Sequence, residues 1–269
     1  MTAAAHAKVN LALVVGPLRA DGKHELLTVY QRVLLADRVE VEPSDRLRVD
    51  GFEKDTIVRR ALELLGDAAG SDHSWHARLT KRIPVAAGLG GGSSDAATAL
   101  RLANETLAEP LVADRLHALA ATLGADVPFF LADGPQLGTG DGSDLRPLDL
   151  PQQYAVLLLV PHDVAKASTA AVYHAFDERG GASGFEQRGK ALLRALDGVH
   201  RPEDLAALPR NDLASSTLGA RLEALGAFRA DVTGAGPAVF GLFLDDEQAR
   251  EAAVVLDDVG RTIVSRACW

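Results

Sequence analysis

Pro84-Val85-Ala86-Ala87-Gly88-Leu89-Gly90-Gly91-Gly92-Ser93-Ser94 runs directly into Asp95-Ala96-Ala97-Thr98-Ala99-Leu100. Four of the five residues from Gly88 to Gly92 are glycine, and a backbone without Cβ atoms folds tightly and approaches a ligand closely. The small and apolar residues that follow predict a helix over 93–108, with Ser93 or Ser94 at its N-cap. A glycine loop feeding a helix start makes an anion site, because unpaired N–H groups and the helix dipole converge there. Phosphate is the natural ligand. The bland alternative is a Gly-rich connection that only turns a strand into a helix. Two familiar phosphate loops are excluded. No lysine follows Gly92, as a Walker loop requires. Counted from Gly88 and Gly90, the third position of a dinucleotide fingerprint is Ser93 rather than glycine.

Outward from the loop, His76–Thr80 alternates like a strand that delivers the chain to it, and 112–123 predicts a second helix closed by Gly124. Upstream, Ala7, Val9, Leu11, Leu13 and Val15 alternate with a second set of residues, which predicts a strand with Lys8 and Asn10 on one face. A turn is expected over 18–22, then strands over 26–41, broken at Ala36-Asp37-Arg38, and over 47–49. Asp55 is expected to cap a helix over 57–69 whose buried face is Val58, Ala61, Leu62 and Leu65. The Pro-bounded stretch 147–151 suggests a domain boundary, with domains 1–147 and 148–269. Beyond it the pattern reads as a buried strand over 155–160 and helices over 168–178, 186–196 and 217–225. Strand (228–232), Gly loop, strand (238–244), helix (246–256) and strand (262–265) close the chain. That order predicts an α+β fold with antiparallel strands rather than a doubly wound sheet.

The chain of 269 residues carries 47% hydrophobic and 24% charged residues, which fits a globular protein with a real core. A net charge of −9 argues against nucleic acid or an anionic membrane as a general partner. Any phosphate site must therefore be locally positive, and Lys8, Lys81 and Arg82 are the candidates. The single cysteine, Cys268, forms no intramolecular disulfide, and neither a leader sequence nor a membrane-length apolar run is visible. The expectation is a cytoplasmic protein, a monomer or weak homodimer, acting on a small molecule. No His, Cys or carboxylate cluster has metal-ligand spacing.

Two further segments complete the constellation: Gly124-Ala125-Asp126-Val127-Pro128, an acid just past a helix end, and Thr233-Gly234-Ala235-Gly236-Pro237, a second glycine-rich turn. Taken singly, Asp126 reads equally as a turn aspartate, Lys8 as a strand lysine and His24 as a surface turn residue. Together, and in this order with Asp21-Gly22-Lys23-His24-Glu25-Leu26, Ser168–Tyr173 and Asn211-Asp212-Leu213, they resemble the galactokinase, homoserine kinase, mevalonate kinase and phosphomevalonate kinase superfamily. Within it they are most similar to the kinases acting on a cytidine-diphosphate-linked methylerythritol. The matching segments span nearly the whole chain.

The resemblance implies two domains. The N-terminal one would have a left-handed β-α-β unit, like the second domain of ribosomal protein S5, and the C-terminal one would be a ferredoxin-like sandwich. It implies ATP at Pro84 through Ser94, with Ser93 or Ser94 helping to hold Mg²⁺. Asp126 would be the general base and Lys8 its partner. Asn10 and His24 would contact the substrate, and the turn containing Thr233, Gly234 and Gly236 would bind its diphosphate. Lys23 stands where the family has an aromatic that stacks on cytosine, which leaves Tyr173 as the expected ring, with Lys23 giving charge or an edge contact. Ala235 replaces a hydroxyl residue, and Ala86 and Ala87 replace glycines. Another kinase of the superfamily, or a nucleotide-binding module without catalysis, are the rival readings.

Overall fold

The computed structural model describes residues 1–52, 57–70, 74–162, 168–214 and 216–269. The elements in chain order are β1 (Thr2–Leu18), β2 (His24–Ser44), β3 (Arg48–Asp50), α1 (Ile57–Ala69), β4 (Ser74–Thr80), α2 (Gly91–Asn104) and α3 (Ala113–Leu123). A 3-10 turn (Pro128–Leu131) leads to β5 (Gln136–Thr139), β6 (Asp144–Pro147), β7 (Ala155–Pro161), α4 (Thr169–Glu178) and α5 (Phe185–Asp197). A second 3-10 turn (Pro202–Ala207) precedes α6 (Leu218–Ala224), β8 (Arg229–Val232), β9 (Val239–Phe243), α7 (Asp246–Val255) and β10 (Gly260–Cys268). The chain forms two compact units.

The first unit comprises Met1–Ala7, Leu35–Val85 and Gly90–Asp133. Its sheet pairs β4 with β2 antiparallel, from Arg38↔Thr80 to Ser44↔Ser74, and with β3 in parallel. The helix face anticipated for α1 is the one buried, Val58, Ala61, Leu62 and Leu65. It packs with Ala96, Ala97, Ala99, Leu100 and Ala103 of α2 around Trp75. The alanines of α2 let a helix that is buried on nearly every side pack closely. α2 ends at Asn104 rather than at 108, because the Asn104 amide turns to the loop, exchanging hydrogen bonds with Leu111 N–H (2.8 Å) and carbonyl (3.0 Å). The expected cap Asp55 lies outside the described residues.

The second unit comprises Lys8–Leu34, Ala86–Leu89 and Gly134–Trp269. Strands β10-β7-β9-β8 lie side by side, all antiparallel, with α7 joining β9 to β10. With β7 taken first, this is the 4-1-3-2 order of a ferredoxin-like sandwich. Leu157, Leu159, Val239 and Phe243 of the sheet pack against Leu222 of α6 and Ala249 and Ala252 of α7.

Three expectations need correction. β2 is one unbroken strand through Asp37, whose carboxylate is consumed by partners described below. The stretch 134–147, to which the sequence pattern assigns no strand, contains the β5–β6 hairpin. The alternation of β1 does not separate a wet face from a dry one: Ala7 through Gly16 are all buried.

Candidate functional site

The second unit gathers three segments that are far apart in sequence. Lys8 and Asn10 leave β1 on one face, with Lys8 Nζ donating to Asn10 Oδ1 at 2.6 Å; both are 3% exposed. The Asn10 amide is fixed in turn by donating to Thr28 Oγ1 (2.8 Å), whose hydroxyl donates to the Ala12 carbonyl (2.9 Å). The Lys8 backbone N–H donates to the Leu89 carbonyl of the glycine loop (3.0 Å). The Asn10 backbone N–H donates to Thr233 Oγ1 of the second glycine turn (3.1 Å), and that hydroxyl reaches Asn10 Oδ1 and the Gly88 carbonyl, each at 3.3 Å. Ala238 N–H to the Ala87 carbonyl (3.1 Å) closes the junction.

Close approach dictates Gly88, and backbone conformation dictates Gly234. Gly88 has φ +83°, and a Cβ on it would lie 2.5 Å from the Thr233 carbonyl oxygen. At Gly234 a Cβ would sit at ordinary contact distance, 3.5 Å from Lys8 Nζ and 3.6 Å from Asn10 Oδ1, and it is the left-handed backbone (φ +56°) that favours glycine there. Ala86 holds the left-handed backbone of the loop (φ 63°) although it is not glycine, which places local strain there. The second turn is pinned from behind by Asn211, buried, whose Nδ2 donates to the carbonyls of both Val232 (2.9 Å) and Gly234 (2.7 Å). Nothing in its local sequence pattern marks Asn211 for that task.

His24 begins β2, buried against α4. Tyr173 stacks on it (centroids 4.8 Å apart, 28° between planes), Phe176 meets its edge, and its Nε2 lies 2.8 Å from Asp177 Oδ1. One face of Tyr173 is therefore already occupied by a protein ring. Lys23 is paired with Asp141 of the β5–β6 connection, an ion pair that holds the Asp141 carboxyl below its usual range despite partial burial. The lysine charge expected to serve a ligand thus has a carboxylate partner.

In the first unit the loop enters α2 through Gly90, the N-cap, in left-handed conformation (φ 71°). Ser93 and Ser94 are not the cap: they lie within the first turn, where Ser94 N–H donates to the Gly90 carbonyl at 2.9 Å. Before the loop, Lys81 bridges two carboxylates, Asp37 and Asp95. Asp37 also accepts from the backbone N–H groups of Arg82 and Ile83 (2.5 and 2.8 Å). Lys81 is therefore not a bare positive charge awaiting phosphate, and the Arg82 side chain is exposed. Burial pulls the Lys81 ammonium down, but its hydrogen bonds to Asp37 and Asp95 outweigh this and leave it raised. Burial pushes the Asp95 carboxyl up to about 7 against the opposing pull of Lys81, and its Oδ1 is buried without a hydrogen-bond partner. Asp126 follows Gly124, half-buried, where Val127 N–H returns to the Gly124 carbonyl at 3.1 Å. Among the described residues no cluster of three or more His, Cys, Asp or Glu side chains is arranged to hold a metal ion, and no helix is long and apolar enough to cross a membrane.

The profile described as GHMP kinases N terminal domain matches residues 56–134, and that described as GHMP kinases C terminal matches residues 205–262. A 4-diphosphocytidyl-2-C-methyl-D-erythritol kinase of Desulfitobacterium hafniense (strain Y51) is 35% identical, the alignment covering 93% of this chain and 90% of the relative. The protein of that name from Pelotomaculum thermopropionicum is 40% identical over 94% of this chain and 92% of its own. The chain belongs to the 4-diphosphocytidyl-2-C-methyl-D-erythritol kinase family. Within the solved structures, a 4-(cytidine 5'-diphospho)-2C-methyl-D-erythritol kinase superposes with a TM-score of 0.80 at 35% identity, covering all of both chains. A mevalonate kinase shares the fold at 13% identity, with a TM-score of 0.76 over 99% of each chain. The two domains of a GHMP kinase are thus both present in this member of the 4-diphosphocytidyl-2-C-methyl-D-erythritol kinase family.

Proposed function

We propose that this chain transfers the γ-phosphoryl group of ATP to the 2-hydroxyl of 4-diphosphocytidyl-2-C-methyl-D-erythritol, a step in non-mevalonate isoprenoid precursor synthesis. The observation that carries the reading is Thr233. Its one hydroxyl ties the second glycine turn to Asn10 and to Gly88 of the glycine loop, so two phosphate-handling turns and the Lys8–Asn10 pair are built as one piece.

Phosphoryl transfer needs positioned reactants, neutralised charge and an acceptor for one proton. The head of α2, with Gly90, Gly91, Gly92, Ser93 and Ser94, is assigned to the nucleotide phosphates, where backbone N–H groups and the helix dipole favour anions. Magnesium neutralises phosphate oxygens when it is bound with the nucleotide. It takes oxygen ligands, and the hydroxyls of Ser93 and Ser94 in that first turn are of the right kind to help hold it. Asp126 is assigned as the base that takes the hydroxyl proton, and Lys8 as the cation that steadies the transferred phosphoryl oxygens. Asn10, oriented by Thr28, is assigned to the acceptor alcohol, the 233–236 turn to the diphosphate, and His24 with Tyr173 to the base. Residues 1–147 and 148–269 are read as the two domains, and the enzyme as a cytoplasmic monomer or weak homodimer. A panel of acceptors tests the assignment. With ATP and magnesium the cytidine-diphosphate alcohol should be phosphorylated, while mevalonate and homoserine should release no ADP above background. Turnover of either of those instead overturns it.

A further inference from the structure

One imidazole in the second unit is held by three neighbours from a single helix. Tyr173, Phe176 and Asp177 stand at i, i+3 and i+4 on α4, so they line one face of it. They meet His24 as a stacked ring, a ring edge and a carboxylate respectively. Only 8% of His24 is exposed, so the ring contacts oppose its turning over. A carboxylate oxygen accepts hydrogen bonds and does not donate them. At 2.8 Å from Asp177 Oδ1, Nε2 must therefore carry the proton. In the neutral ring Nδ1 is then a bare acceptor. The same apolar cluster that holds Tyr173 and Phe176 includes Ala235 of the second glycine turn. A base subsite next to a diphosphate-binding turn is the layout a nucleoside diphosphate requires.

We propose that Asp177 is a positioning residue that fixes His24 as its Nε2–H tautomer, and that the acceptor thereby presented at Nδ1 makes the site select cytosine over uracil. The inference rests on the reading that His24 meets the base of the substrate. The two pyrimidines differ at one ring carbon, which carries an amine in cytosine and a carbonyl oxygen in uracil. An acceptor at Nδ1 pairs with the amine. Opposite the carbonyl it faces a second acceptor, and both are left without a partner in a partly dry site, which is the arrangement that discriminates most strongly. Among the described residues, the contact with Asp177 is the hydrogen bond that sets the His24 tautomer. The opposite tautomer would reverse the preference.

Two measurements test this. The ¹⁵N spectrum of the unmodified protein should show His24 protonated at Nε2 and bare at Nδ1; a proton on Nδ1, alone or on both nitrogens, overturns the proposal without any variant. In kinetics, the ratio of kcat/KM for the cytidine substrate over its uridine counterpart should fall by about tenfold or more in Asp177→Ala, the worth of one hydrogen bond. The loss should lie in KM for the cytidine substrate, with KM for ATP and kcat at saturation within about twofold. A ratio unchanged within twofold overturns it. His24→Ala separates the two layers. If His24→Ala leaves KM for the cytidine substrate unchanged, the assignment of His24 to the base has failed. If His24→Ala raises that KM while Asp177→Ala leaves the ratio intact, only the tautomer control has failed.

Discussion

Thr233 Oγ1 accepts the backbone N–H of Asn10 at 3.1 Å across 223 residues of sequence. The bond joins the strand that carries Lys8 to the turn between β8 and β9, and the same hydroxyl reaches the Gly88 carbonyl. Thr233→Val keeps the shape and removes both interactions, leaving a buried N–H and a partly buried carbonyl short of a partner. The expected cost is about 1–3 kcal/mol of folding stability, read from chemical denaturation. KM for both substrates should rise. Full stability with unchanged KM values would mean that the junction is not held by this hydroxyl.

Gly88 is the second point of close approach. Gly88→Ala brings a methyl group within 2.5 Å of the Thr233 carbonyl oxygen at a φ of +83° that alanine resists. The loop must shift. A loss of about 1–3 kcal/mol from the backbone strain, with weaker ATP binding in calorimetry, is expected. Ala86→Gly, at φ 63°, should show no such loss of binding.

Asp126→Asn preserves size and removes proton acceptance. Turnover should fall by about 10²–10⁴-fold, the usual contribution of a general base, while both KM values stay within a few-fold. Turnover close to the parent would return Asp126 to the status of a turn residue.

How much of this was legible depends on the reach of each interaction. The shared face of Lys8 and Asn10 follows from a period of two and needs no partner to be known. The helices read over 57–69 and 168–178 and the buried strand over 155–160 were equally visible in local pattern, and each lies within one residue of the observed element. Asp37 was not. An aspartate inside an apolar strand reads as a break unless its partners are known, and those partners sit at 81–83, more than forty residues away. Lys23 and His24 were singled out, but their carboxylates Asp141 and Asp177 lie 118 and 153 residues downstream, with no spacing rule to link them. Gly90 took the cap from the serines because the loop enters α2 in left-handed conformation, which glycine alone accepts without strain.

The pairing of Lys23 with Asp141 changes what the lysine should do. Half of the Lys23 side chain is in solvent although the Asp141 side chain is only 13% exposed. Asp141 keeps hydrogen bonds from the Ser143 N–H and hydroxyl when the lysine is removed, and a pair with one solvated end contributes about 0–1 kcal/mol. Lys23→Tyr should therefore cost little stability. With its charge already countered by Asp141, Lys23 should add little to the salt dependence of KM for the cytidine substrate. Titrations at low and high ionic strength should give parallel curves for the two proteins. A much steeper salt dependence in the parent would show the lysine charge reaching the ligand.

Asp95 supplies a pH test. Its carboxyl stands at about 7 in the folded chain against an ordinary value of 3.8. Between those values the native state binds more protons than the unfolded state, so the contribution of Asp95 to stability falls as pH rises across that window and is constant above it. Asp95→Asn has no such titration. The Tm of the variant minus that of the parent should therefore increase from about pH 4 to about pH 7 and then level off. A difference that is flat throughout would mean that Lys81 keeps Asp95 ionised over the whole range.

The reaction itself is tested most directly by ³¹P NMR of the purified protein with ATP, magnesium and 4-diphosphocytidyl-2-C-methyl-D-erythritol. The account predicts a new phosphomonoester resonance that grows in step with ADP and couples to the carbon skeleton at position 2, and whose growth slows by about 10²–10⁴-fold in Asp126→Asn. ADP released without an ester, or an ester formed on mevalonate or homoserine but not on this alcohol, would contradict it.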